Sequence, residues 1–334
     1  MLSHKVLSQK LNALSNFREL GLLFFIIVLI VAVQLRNPAF LTLHNLGNLL
    51  TNTAILGILS VGMMMVILTG GIDLSIGATL AFSGMVTALT VRAFPELPPA
   101  LLVLQSISIG AATGLVVGTL VARFSILPII ASLGMMNVMR GLTFVASGGG
   151  WVSAHQMPAS FTGIATGSVL GVNNLVATAV GVYIVFYYFI NFTRTGRRMY
   201  AVGSNREAAE VIGLPVKRII TLVYTLMGAL SGLAGVLWVS RFASAQGDTG
   251  TGVELQVIAA CVLGGIAVSG GRGKVSGLIL GVILFGIVAN VLPLIHVSPF
   301  WQQAIQGAVI LTAIVINVLT KRNSDRISLR KRVI

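Results

Sequence analysis

From residue 20 onward the chain alternates long apolar runs with short stretches of glycine, proline and polar residues. The runs lie near 20–36, 46–69, 74–94, 98–121, 126–146, 169–192, 216–239, 254–269, 275–294 and 300–320. Most approach or exceed the roughly 20 residues that a helix needs to cross a bilayer. They are apolar on all sides, without the polar/apolar alternation of membrane strands, which excludes a β-barrel. The pattern predicts an all-α polytopic membrane protein with about ten transmembrane helices in a single transmembrane domain, 1–334.

Composition agrees. Of 334 residues, 56% are hydrophobic and 9% charged, with a mean hydropathy of +0.96; a soluble domain carries roughly 25% charged residues. The 22 basic residues against 8 acidic ones give +14. On a soluble protein that balance would suggest nucleic acid; here it is read as positive charge flanking membrane helices on their cytoplasmic side. With the N-terminus inside, every basic residue except Arg36, Arg92, Arg140 and Arg241 falls on a segment that ten spans place inside. Both termini are therefore expected in the cytoplasm. Lys5, Lys10 and Arg18 before the first run resemble a signal peptide, but the run continues to "VQLRNPAF" without a small-residue cleavage site, so an uncleaved first span is expected. Cys261, the single cysteine, lies in an apolar run and reads as a packing residue.

Two connections stand out for length: 147–168 on the expected outer side and 193–215 on the inner side. In the second, Ser204 followed by Glu207 reads as a capping box for a short helix that Gly213 and Pro215 end. That helix has two readings. It lies on the membrane surface, or it docks a partner, with the small Ala208 and Ala209 admitting a groove and Arg206 and Glu207 fixing register. Glycines also interrupt the apolar pattern in both halves, in "LTGGIDLSIG" (Gly70, Gly71, Asp73, Ser75) and "LGGIAVSGG" (Gly264, Gly265). Such breaks mark a translocation path or a tight turn between spans. An acid at a helix centre costs about 2.5–3.5 kcal/mol on insertion scales, so Asp73 needs a purpose. Either it caps the third span by accepting N–H bonds from Ser75 and Ile76 and takes part in gating, or it contacts solute or relays a proton. Asn137, Arg140 and Glu254 are further hydrogen-bonding candidates for a solute, with helix packing or loop anchoring as the competing reading. The Gly110/Gly114/Gly118, Gly228/Gly232 and Gly277/Gly281 spacings permit close helix contact.

Several chemistries are excluded. Around "GGRGKVSG", Val268 stands where a phosphate loop needs its first glycine, and Val275 where it needs Ser or Thr, so the chain is not itself an ATPase. His4, His44, His155 and His296 show no ligand spacing, and no Ser/His/Asp grouping is visible, so neither a metal site nor catalytic residues are expected. An ion-coupled secondary transporter, the alternative function, would want several intramembrane acids, and Asp73 is nearly alone.

Glu207-Ala208-Ala209 with Gly213 resembles the Glu-Ala-Ala-x-x-x-Gly coupling motif of ABC importer permeases, although the Ile-x-Leu-Pro continuation is absent. Together with "LTGGIDLSIG", "TGTGVELQVIAACVLGGIAVSGGRGKVSG" and ten spans, it resembles the ribose-type sugar permease family over roughly residues 20–320. Members carry ribose, xylose, galactose, rhamnose or autoinducer-2. The resemblance implies a permease subunit in the bacterial inner membrane, paired with itself or a paralogous subunit. It also implies a periplasmic or lipid-anchored solute-binding protein and a cytoplasmic ATPase gripping the loop at Arg206, Glu207, Ala208, Ala209 and Gly213. ATP and Mg would sit on that ATPase, and this chain would bind no cofactor and no nucleic acid.

Overall fold

The computed structural model describes residues 2–298, 301–302, 304–305, 307–308 and 311–312, with side chains from Glu19 onward. The last expected span, 300–320, lies largely outside the described residues. Helices occupy the other nine positions: α1 (Leu2–Arg36), α2 (Leu43–Leu68), α3 (Ile76–Ala93), α4 (Pro99–Arg123), α5 (Pro128–Ser147), α7 (Asn174–Phe192), α10 (Val216–Phe242), α11 (Val253–Leu263) and α12 (Val275–Leu294). Between them lie α6 (Ala159–Thr166), the hairpin β1 (Ser168–Val169) and β2 (Val172–Asn173), α8 (Arg194–Ser204) and α9 (Arg206–Val211). Among the described residues, eight helices are long and apolar enough to cross a membrane; α11 is not among them.

Local chemistry sets the ends. Pro99 and Pro128 open α4 and α5 at their first turns, where the missing N–H costs nothing. Gly148 closes α5 in the left-handed conformation, its N–H reaching back to Phe144 and Val145. The expected run 169–192 begins with something else. Its first residues form the β1–β2 hairpin, turning through Leu170 (φ 53°) and Gly171 (φ 78°), and the helix starts only where the Asn173 side chain caps the Leu175 N–H at 3.0 Å. An apolar run broken by a glycine and two asparagines satisfies its backbone in a tight turn before it can wind.

The chain divides into two compact units. The first comprises Met1–Leu49, Ala259–Ile266 and Gly273–Ile334. Its apolar core joins Ile26 and Val33 of α1 to Leu284 and Ile287 of α12, with Phe40 and Leu49. Asn45 and Asn290 exchange a reciprocal amide pair (3.0 and 3.2 Å), so neither leaves an unpaired amide in the apolar surroundings. Gly277 and Gly281 of α12 lie against the backbone of Ala260 and Gly264.

The second unit, Leu50–Ile258 with Ala267–Arg272, is built around α10. The apolar stretches of α2, α3 and α10 are 78%, 67% and 67% buried, against 17–33% for α4, α5 and α7, which puts α2, α3 and α10 at its centre. Gly110, Gly114 and Gly118 of α4 meet Gly228, Gly232 and the backbone of Tyr224 on α10 so closely that a Cβ on Gly110 would stand 2.7 Å from the Gly232 nitrogen. Ser106 adds a hydrogen bond to the Gly232 carbonyl at 2.7 Å. Between helices in lipid, where hydrocarbon offers no hydrophobic drive, such backbone-to-backbone contact supplies the cohesion.

Candidate coupling loop and translocation elements

The 193–215 loop is two short helices, not one. Thr193 caps α8 by accepting the Gly196 N–H at 3.0 Å. Ser204 is absorbed as the last residue of α8, so the cap of α9 is Asn205, whose side chain accepts the Ala208 N–H at 2.9 Å. This corrects the expected Ser204/Glu207 capping box. Asn205 sits in the extended conformation at the corner and serves both helices. Gly213 takes the left-handed conformation (φ 78°) that ends α9. The outward face also differs from expectation. Ala209 is buried (2% exposed) and holds α9 down, while Glu207, Ala208 and Glu210 are exposed, and Val211 and Ile212 are 87% and 71% exposed. Arg206 pairs with Glu210 at 3.3 Å, one turn along its own helix. The exposure of the apolar pair Val211–Ile212 is not visible in sequence, because an apolar pair at a helix end is as readily buried as exposed.

At the first glycine break, Asp73 is buried (1% exposed) and one carboxylate oxygen accepts the Ser75 N–H (2.9 Å) and hydroxyl (2.6 Å). Asp73 and Ser75 therefore lock the turn that launches α3. No bond reaches Ile76, which corrects half of the expected cap. Gly71 leaves room for the Tyr224 ring. The Tyr224 hydroxyl on α10 donates to the Ile72 carbonyl at 3.4 Å. The Ser132 hydroxyl on α5, which donates to the Pro128 carbonyl of its own helix at 2.8 Å, lies 3.4 Å from the same Ile72 carbonyl. Sequence alone did not point to either neighbour.

Glycines also join this break to the 193–215 loop. The Gly271 N–H donates to the Leu68 carbonyl at 3.0 Å. A Cβ on Gly203, near the end of α8, would collide with that carbonyl and stand 2.7 Å from the Gly271 nitrogen. One on Gly270 (φ 85°) would stand 2.7 Å from the Gly203 carbonyl and 3.0 Å from the Gly70 nitrogen. The end of α2, the end of α8 and the 267–272 segment thus meet backbone to backbone. Gly264 and Gly265, the other half of the expected pair of breaks, belong to the first unit, where Gly265 (φ 88°) follows the end of α11.

Arg140 and Glu254 build a second element. Ala243 (φ 46°) stops α10, and the chain turns back, pairing Ala245 with Val152. Arg140 Nη1 donates to the carbonyls of Gly247 (2.9 Å) and Thr249 (2.8 Å). Glu254 accepts the Gly252 N–H at 3.2 Å, and Gly77 of α3 lies against Gly250 and the Glu254 carboxylate. Depth follows from the helical rise. Ser132 and Tyr224 mark the level of Ile72; Arg140 lies roughly 12 Å further along α5, and Phe242 roughly 27 Å further along α10. The segment after α10 therefore returns on the order of 15 Å into the bundle before α11 begins. Of the expected full span 254–269, only α11 up to Leu263 is helical and 264–269 are turns and irregular chain, while the returning segment precedes it. Asn137 is not brought to this site: it is exposed on α5 and bonds the Leu133 carbonyl of its own helix at 3.0 Å.

Residues 45–314 match the family described as branched-chain amino acid transport system / permease component. The ribose import permease protein RbsC of Escherichia coli K12 is 39% identical over 297 residues, 88% of this chain and 92% of the relative. The L-arabinose ABC transporter permease protein AraH of Azospirillum brasilense is 36% identical over 92% of this chain and 89% of its own. For the galactose/methyl galactoside import permease protein MglC of E. coli K12, the identity is 34% over 93% and 97%. No solved structure matches. Relatives of this kind, matched nearly end to end by a chain of membrane helices, favour an ABC permease over an ion-coupled carrier, and the chain belongs to the transport-system permease family that includes the ribose, arabinose and galactose import permeases.

Proposed function

We propose that this protein, a multi-pass inner-membrane permease, is the translocating subunit of an ATP-driven importer of a small sugar. The observation that carries the reading is the identity of 34–39% to sugar import permeases over 88–93% of the chain. A separate cytoplasmic ATPase carries ATP and Mg, a solute-binding protein delivers the sugar from the other face, and a second permease copy or paralogue completes the pore. In this reading the ATPase grips the exposed Glu207, Ala208, Val211 and Ile212, while Ala209 and the Asn205 cap fix α9 to the protein. Motion of α8 then passes through Gly203 to the end of α2 and the Asp73 turn. The test is uptake of D-ribose, L-arabinose and D-galactose into proteoliposomes holding permease, ATPase and binding protein. ATP-dependent uptake of at least one supports the reading; uptake driven by an ion gradient without ATP would overturn it.

A further inference from the structure

Beside the returning segment lies a cavity of about 670 Å3, within the roughly 300–1,000 Å3 of small-molecule sites. We propose that this cavity is the subsite that holds a neutral polyhydroxylated solute in transit, with Trp238, Arg241, Phe242, Gln246, Asp248 and Gln256 as its contacts. The proposal rests on the sugar-import reading above and adds the residues that touch the solute.

Three observations converge. The first is composition. In a chain with 9% charged residues, the lining carries one cation, Arg241, and one anion, Asp248, which offset each other. The remaining polar groups are amides and hydroxyls. A balanced wall of this kind discriminates against ions and suits a solute that both donates and accepts hydrogen bonds. The second is the pair of rings. Trp238 and Phe242 lie one helical turn apart on α10, centroids 5.0 Å apart and tilted 47°. A sugar ring presents weakly positive C–H edges, which complement the negative face of an aromatic ring. The third is anchoring. Arg241 donates to the Thr51 carbonyl at 2.8 Å and to the Asn52 side chain, and its guanidinium stands 4.9 Å from the Phe242 centroid, so cation and ring are held in place. From behind, Arg140 and Glu254 pin the loop that carries Gln246 and Asp248. Arg140 and Arg241 are two of the four basic residues that break the positive-inside pattern; a charge kept at a disfavoured place marks a working site. The cavity also adjoins the point where α11 begins part-way through the bundle, and discontinuous helices place solute sites at such breaks in transporters.

Asp248 is exposed, and its carboxylate makes no hydrogen bond among the described residues. It faces the Arg140 charge only through space, and Arg140 keeps its bonds to the Gly247 and Thr249 carbonyls when Asp248 is replaced by the isosteric Asn. In proteoliposomes with ATPase and binding protein, Trp238→Ala should lower the maximal uptake rate of the transported sugar at least tenfold, with Trp238→Phe recovering most of it. Asp248→Asn, which exchanges an acceptor for a donor, should change the ratio of D-ribose, L-arabinose and D-galactose rates at least fivefold. Co-purification with the ATPase checks assembly; if Trp238→Ala fails that check, Asp248→Asn decides alone. Wild-type rates and ratios within twofold for the assembled variants would overturn the proposal while leaving the import reading in place. If the wild type carries none of the three sugars and neither D-xylose nor L-rhamnose, the import reading falls and this proposal with it.

Discussion

At the scale of single residues, Asp73 is a buried acid whose bonds stay within its own turn. Its observed bonds run to the N–H and hydroxyl of Ser75, and both fall on one oxygen. Asparagine keeps an acceptor at that place, whereas leucine removes it and strands a buried N–H and hydroxyl, at about 1–3 kcal/mol each. Asp73→Asn should therefore retain half or more of ATP-dependent uptake, and Asp73→Leu should lose at least tenfold while still inserting. Complete loss in both, measured at equal membrane abundance, would assign the carboxylate a charge-dependent task such as carrying a proton. Ala209 teaches the opposite lesson. A small residue in a docking motif invites the reading that a partner's groove meets it, yet its methyl is buried within its own chain. Ala209→Arg consequently tests folding, and docking is tested by Val211→Asp, which should weaken ATPase co-purification at least fivefold without lowering permease yield. Asp73 was legible because a charge in an apolar run has few explanations. The Asn205 cap was not, because Ser204 and Asn205 are adjacent and equally competent; which one caps depends on how far α8 runs.

Among elements, backbone contact between glycines decides what can approach what. The Gly110/Gly114/Gly118 and Gly228/Gly232 spacings announced close packing, and the structure shows that the two stripes face each other across α4 and α10. Regular spacing on one helix is visible in sequence; the junction of Gly203 with Leu68, Gly70, Gly270 and Gly271 is not, because its parts are scattered along the chain and meet through backbone atoms. That junction is where the two-helix loop touches the first glycine break. Gly203→Ala would drive a methyl into backbone, which cannot step aside as a side chain can, and overpacking of this kind costs about 1–3 kcal/mol. The expected result is a lower melting temperature and loss of solute-stimulated ATP hydrolysis with the ATPase still bound. Gly181→Ala on α7, where an added Cβ meets nothing within 4 Å, is the matched control and should match wild type in both measurements. Equal behaviour of the two variants would show that the junction carries no motion.

For the whole molecule, the open matter is which way the chain crosses the membrane, and the returning segment bears on it. α11 has 11 residues, about 16 Å of helix, too short for the roughly 30 Å hydrocarbon core. Taken alone, its shortness would remove one crossing and reverse the side of everything after it. The descent of the chain after Phe242 would restore the count if the returning segment and α11 together make one passage. The expected alternation of basic connections would then hold, with 193–215 on one side and 147–168 on the other. Sequence alone predicts a parity because basic residues cluster in particular connections. It could not show the descent, because a polar segment beneath a helix end reads the same as an outer loop. Positive-inside bias predicts that 193–215 and the C-terminal basic run with Lys321 and Arg332 face the cytoplasm. Reporter fusions after Thr320 and within 150–165 should accordingly report opposite sides, the first cytoplasmic and the second external. Signals from the same side for both would mean that the returning segment and α11 do not amount to one crossing, and that the ten-span count fails with them.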